Sequence, residues 1–120
     1  MDQSRPKRIL VVDDEKPLQR ALQMKFTNAG FEVVIAADGE EALEILDRET
    51  FNIVLLDLVM PKKNGFEVLE ELKAKGKKVP VIVLSNLSQD EDVKRARDLG
   101  AIDFLVKPET SIFDLVSRVK

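Results

Sequence analysis

The chain has 120 residues, 44% of them hydrophobic, which is enough to build one domain with an ordinary core. Its 19 basic and 22 acidic residues leave a net charge of -3, with neither sign gathered into a long block, so neither direct nucleic-acid binding nor attraction to anionic lipid is expected. Cysteine and histidine are both absent and every apolar run is too short to span a bilayer; this removes disulfides, thiolate zinc sites, histidine triads, histidine-ligated metals and a histidine phosphoacceptor, and makes a reducing, cytoplasmic location the default expectation.

In chain order, Met1 to Arg8 is polar and charged, lacks the apolar stretch of a secretory signal, and reads as a lead-in to a first strand over Arg8 to Val12. A helix is expected from about Lys16 to Ala29, because Leu18, Leu22, Phe26 and Ala29 recur at steps of three and four, with Pro17 tolerated in the opening turn and Gly30 closing it. The second strand is placed at Glu32 to Ala36. Asp38, with Glu41 three positions on, then opens a helix carrying Ala42, Leu43, Ile45 and Leu46. The third strand, Ile53 to Leu56, is wholly apolar, as expected of a strand buried on both faces. Asn64 and Glu67 open a helix with Val68, Leu69 and Leu72, closed by Gly76. A fourth strand is read at Val79 to Leu84, a fourth helix starting with Ser88 and Glu91 and ending at Gly100, and a fifth strand at Ile102 to Val106. Ser111 and Asp114 open a last helix whose pattern, Ile112, Leu115, Val116 and Val119, reaches Lys120 without a stop signal; it is expected either to fray there or to continue in a longer chain. No repeat, low-complexity segment or linker interrupts residues 1–120, so they read as one α/β domain with helices on both faces of a five-stranded parallel sheet.

Such sheets bind ligands beyond the carboxyl ends of their strands, where strand order reverses. Strand one ends in Asp13 and Asp14, strand three in Asp57, strand four in Ser85, and strand five in Lys107 before Pro108, while strand two ends blandly in "AADG". Taken singly, each has an ordinary reading: acids favoured at a helix start, a turn aspartate, a loop serine, a solvated lysine. Taken together, three carboxylates from two neighbouring strands repel one another unless a cation sits between them. Oxygen ligands alone, with no nitrogen or sulfur, suit magnesium, which commonly shares its coordination sphere with a phosphate. A hydroxyl from Ser85 and an ammonium from Lys107 complete a site for a phosphoryl group, and Asp57, at its centre, is the candidate nucleophile, the product being an acyl phosphate.

The segments "LVVDDE", "VLLDLVMPKKNG", "VIVLSN" and "LGAIDFLVKP" resemble, in order and across essentially the whole chain, the receiver domain of two-component response regulators, the CheY-like proteins. The resemblance implies a flavodoxin-like, doubly wound sheet in order 2-1-3-4-5. It implies that Asp57 accepts a phosphoryl group from a partner histidine kinase's phosphohistidine, from a phosphotransfer protein or from a small phosphodonor. Magnesium is then held by Asp14, Asp57 and the Val59 carbonyl, with Asp13 acting largely through water. Ser85 and Lys107 read the phosphoryl group, the Lys107-Pro108 peptide is cis, and Phe104 stands where the family keeps a switch aromatic, although it reads equally well as plain core. As a phenylalanine it cannot donate a hydrogen bond, so its two states must differ by packing alone. The expected output is a downstream effector bound through the face made by the fourth strand, fourth helix, fifth strand and fifth helix, with a phosphorylation-dependent dimer as a further expectation and no membrane partner.

Asn86 departs from the small residue usual beside the hydroxyl, which bears on access and on the inward turn of Phe104. Val59 and Leu87 are both apolar at positions that govern how water reaches the acyl phosphate, so slow self-dephosphorylation is expected. Three other readings compete with this one. A phosphatase or phosphotransferase with an aspartyl nucleophile needs a second acid two residues later, where Val59 stands. A flavodoxin-like cofactor binder needs a phosphate loop where "DDEKPL" presents acids. A receiver-like interaction module that works without phosphorylation is the alternative that Asn86 keeps open. The preferred reading is a self-phosphorylating and self-dephosphorylating switch with no external substrate.

Overall fold

Alternation along the central strands decides how the layers are divided. The computed structural model describes residues 6–107 and 110–119. Its elements run β1 (Arg8–Val12), α1 (Lys16–Asn28), β2 (Glu32–Ala36), α2 (Gly39–Arg48), β3 (Ile53–Leu56), α3 (Gly65–Ala74), β4 (Val81–Ser85), α4 (Asp90–Asp98), β5 (Asp103–Val106) and α5 (Ile112–Val119). The strands form one parallel sheet in the order β2-β1-β3-β4-β5, as expected, with β1 and β3 paired from Ile9–Ile53 to Val12–Leu56.

Successive residues of a strand point to opposite faces, so a strand covered on both sides must be apolar throughout and must feed two cores. Leu10, Val12, Val54, Leu56, Val81 and Val83 face one core with Ala42, Leu46, Leu69 and Ala96 of the covering helices. Ile9, Val11, Ile53, Leu55, Ile82 and Leu84 face the other, with Leu22 and Phe26 of α1 and Leu115 of α5. Phe26, fully buried, meets Phe31 edge to face with ring centroids 5.3 Å apart, an arrangement that adds electrostatic fit to the area both rings bury.

Helix boundaries follow local chemistry. Asp38 accepts from the Glu41 N–H at 2.8 Å, and Asn64 and Glu67 bond each other's backbone N–H at 2.9 Å in a complete capping box. Ser111 Oγ accepts from the Asp114 N–H at 3.1 Å. Gly30, Gly76 and Gly100 all adopt positive φ just beyond their helices.

Three sequence expectations need correction. α4 is not capped by Ser88: it begins after Gln89, without a side-chain cap, and its first turn is favoured instead by the charges of Asp90, Glu91 and Asp92. β4 starts at Val81 rather than Val79, since Pro80 has no N–H to give to a ladder. β5 starts at Asp103, and Ile102, although its N–H bonds the Val81 carbonyl, is exposed rather than core. The cis peptide expected before Pro108 lies outside the described residues.

Candidate phosphoryl-transfer site

Backbone pairing continues one residue past both β1 and β3, to β2 and β1 respectively, and that extension carries the acids. Asp57 N–H bonds the Val12 carbonyl and Asp13 N–H bonds the Ala36 carbonyl, at 2.9 and 3.0 Å, so both side chains are fixed by backbone pairing at the carboxyl edge of the sheet. The β3–α3 connection closes tightly over this edge. Lys62 takes φ +67°, Asn64 caps α3, and Gly65 packs so close that any Cβ there would overlap the Asp57 carbonyl oxygen.

Asp13, Asp14 and Asp57 each offer a carboxylate oxygen within 4.8 Å of the others. Asp13 and Asp57 are almost wholly buried, whereas Asp14 is exposed. Three oxygen donors converging at the mouth of a sheet, with no nitrogen or sulfur among them, fit a hard divalent cation such as magnesium. Val59, two residues after Asp57, has an exposed side chain, and its N–H donates to Asp57 Oδ1 at 3.3 Å.

The positive partner comes from the residue that follows β5. Lys107 Nζ lies 2.9 Å from Asp13 Oδ2, 2.9 Å from Glu15 Oε2 and 3.2 Å from Asp57 Oδ2. Burial works against its charge, but the hydrogen bonds to Asp13 and Glu15 and the field of Asp57 outweigh burial and hold the ammonium above the ordinary lysine range. For Asp13 the balance differs: burial pushes its carboxyl up, and the hydrogen bond from the Glu15 N–H and the nearby Lys107 offset this only in part. The Asp13 carbonyl also accepts from Gln19 Nε2 at 2.6 Å, which ties the loop to α1.

Ser85 ends β4, pairs with Val106, and is fully buried, its Oγ accepting from the Leu87 N–H at 3.3 Å. Phe104, opposite Val83, is half-buried against the same core cluster as Val83, so it and Ser85, two residues after Val83, belong to one face of the sheet. Asn86 is exposed. The expected site residues thus fall into a carboxylate–lysine centre and a flanking Ser85–Phe104 pair. Glu15 and Gln19 were not anticipated. The available signal was an acid immediately before α1 that makes no side-chain cap there, because it turns to Lys107. A cavity of about 540 Å3 lies at the opposite end of the sheet, lined by Leu69, Leu72, Val81, Leu99 and lysines, and contains none of these groups.

With this geometry in place, the comparisons with known proteins agree. The chain belongs to the response regulator receiver domain family, which its residues 9–120 match. Phosphorylation-dependent switching is the standard function of that family in two-component systems. Such domains bind magnesium at an acidic pocket, work with histidine kinases or phosphotransfer proteins and with effector domains, and are not enzymes acting on an external substrate. A probable transcriptional regulator, ycf27, of Porphyridium aerugineum is 48% identical over 84% of this chain and 42% of its own length. The receiver domain of a Francisella response regulator superposes with a TM-score of 0.89 at 33% identity, covering 94% of this chain and 93% of that one. CheY from Borrelia burgdorferi, in a complex with CheX, BeF3 and magnesium, superposes with a TM-score of 0.86 at 35% identity, covering 95% and 87%. The chain spans about half or less of the length of curated relatives such as ycf27, and among the described residues no helix is long and apolar enough to cross a membrane.

Proposed function

We propose that residues 1–120 act as one receiver unit in which Asp57 is the phosphoacceptor. The observation that carries this reading is the position of Asp57: a buried strand-end carboxylate with Asp13 and Asp14 oxygens within 4.8 Å and Lys107 in contact. A carboxylate oxygen of Asp57 forms the O–P bond while the P–N bond of a phosphohistidine breaks and the leaving imidazole keeps the electron pair; a small acyl phosphate donor is attacked in the same way, its leaving carboxylate taking the pair. Asp14, Asp57 and the Val59 carbonyl would hold magnesium, with Asp13 acting through water, and the ion would supply charge stabilisation to the phosphoryl oxygens. Lys107 donates to a phosphoryl oxygen from the opposite side, and Ser85 swings its hydroxyl to another. Hydrolysis later returns the carboxylate and releases inorganic phosphate.

The switch works through Ser85 and Phe104. Once Ser85 Oγ leaves the Leu87 N–H for the phosphoryl group, Phe104 repacks toward the space it vacates, and the face of β4, α4, β5 and α5 changes shape for a downstream effector or a second copy. Phe113 of α5 is an exposed apolar side chain, available to a partner that docks on that helix. The donor is a sensor histidine kinase or phosphotransfer protein, and the setting is cytoplasmic.

Asp57→Asn is expected to abolish labelling by acetyl phosphate while the protein stays folded. Labelling that survives the substitution refutes the acceptor role. If partner binding proves identical in labelled and unlabelled protein, the phosphorylation-independent interaction module is the better account.

A further inference from the structure

In the resting structure Lys107 Nζ is surrounded by three carboxylates: it donates hydrogen bonds to Glu15 at 2.9 Å and Asp57 at 3.2 Å and forms an ion pair with Asp13 at 2.9 Å. Its charge is therefore shared among three anions before any phosphoryl group arrives. Phosphorylation turns the Asp57 carboxylate into an acyl phosphate, so that contact can pass to the phosphoryl group, and Asp13 and Glu15 remain as the anions that compete with it for the ammonium. Asp13 is the costliest to release, since its side chain is only 3% exposed and water cannot replace the lost partner. Glu15 is the cheapest: its side chain is 49% exposed, and a released carboxylate there is hydrated at once. Among the described residues the Glu15 side chain has no polar partner other than Lys107. It stands at the start of α1 without capping it by a side-chain bond; its backbone N–H donates to Asp13 Oδ1 at 2.9 Å and its carbonyl accepts from the Gln19 N–H at 2.9 Å.

We infer that Glu15 is a positioning residue that holds Lys107 in the unphosphorylated protein and competes with the phosphoryl group for it, so that it slows phosphoryl acquisition from small anionic donors. The inference rests on Asp57 being the acceptor. Two effects act in the same direction. The contact restrains the one ammonium the phosphoryl group needs, and the negative charge at the mouth of the site opposes the approach of an anionic donor.

Two variants separate these effects. Glu15→Gln removes the charge and weakens the contact; Glu15→Asp keeps the charge on a side chain one methylene too short for the same reach. Labelling by acetyl phosphate at saturating magnesium is followed against donor concentration and ionic strength, with thermal unfolding as the check on folding. Glu15→Gln is expected to label about twofold to fivefold faster, the worth of one partly exposed ion pair, and to respond less to added salt. Glu15→Asp is expected to gain rate while keeping the salt response of the wild type. A folded Glu15→Gln variant that labels no faster than wild type overturns the role of Glu15 and leaves the acceptor assignment standing. Failure of the wild type itself to label overturns both.

Discussion

Lys107 concentrates the chemistry of the site on a single side chain. Replacing it with methionine leaves Asp13 buried without its cation, at a cost of roughly 3 kcal/mol at neutral pH in the absence of divalent metal. The pH dependence follows from the direction in which Asp13 is shifted. Burial raises its carboxyl, so its contribution to stability is fully present below the unfolded value and is lost as pH rises through the folded one. Lys107 obeys the same rule far up the scale: its raised value means its stabilisation is intact below the ordinary lysine range and disappears only in strong alkali. Removing the lysine raises Asp13 further, so the gap in Tm between wild type and Lys107→Met is expected to be widest near neutrality and to narrow on acidification. An equal gap at neutral and mildly acidic pH contradicts the pairing. Asp13, Asp57, Ser85 and Lys107 were legible in the sequence because each directly follows or ends an apolar strand, where chain direction alone puts it at the carboxyl edge. Glu15 was not, because its partner is 92 residues away and only the fold brings the two together.

At the scale of elements, the loops after β3 and before α4 give opposite expectations. Asn64→Ala removes the side-chain half of the capping box, the acceptor for the Glu67 N–H, and should cost about 1 kcal/mol, measured by denaturant unfolding. Ser88→Ala should change stability by less than about 0.5 kcal/mol, because Ser88 is exposed and does not cap α4. A larger effect at Ser88 than at Asn64 would reverse this assignment. Gly65→Ala is the severe change: its methyl meets the Asp57 backbone, which cannot move without disturbing the acceptor, so a loss of about 1–3 kcal/mol is expected together with slower labelling. The sequence pattern identified the true caps where a side-chain acceptor and an acid three residues on coincided with a helix start. It misled at Ser88 because an S-x-x-E spacing also occurs by chance one residue too early, and the acidic first turn of α4 needed no cap. Both strand-start errors have a similar origin: Val79 and Ile102 look like strand residues, yet Pro80 and the exposure of Ile102 set the ladder later.

For the molecule as a whole, parallel alternation explains why fold class was readable and site geometry only partly so. Two cores drawn from one sheet demand continuous apolar strands, and these are conspicuous in β3 and β4. Which carboxylates share one ion depends on how adjacent strand ends align, and that was inferred from topology rather than from any local pattern. If magnesium binds the folded state alone, a concentration about 100 times its Kd should stabilise the protein by about 2.7 kcal/mol, seen as a higher Tm, and Asp57→Asn should abolish most of that gain. Neither Val59, at the mouth, nor Leu87, packed against the core, offers a polar atom from its side chain to orient water. The phosphorylated protein is therefore expected to outlast seconds, and discharge within seconds, followed by loss of label after the donor is removed, contradicts this. The most direct test of the account is to find where the phosphoryl group goes: incubate with acetyl phosphate with and without magnesium, quench, and map the added mass by peptide mass spectrometry. A single label on the peptide containing Asp57, formed only with magnesium, is the predicted result; a label on another residue, or the same labelling without magnesium, would contradict it.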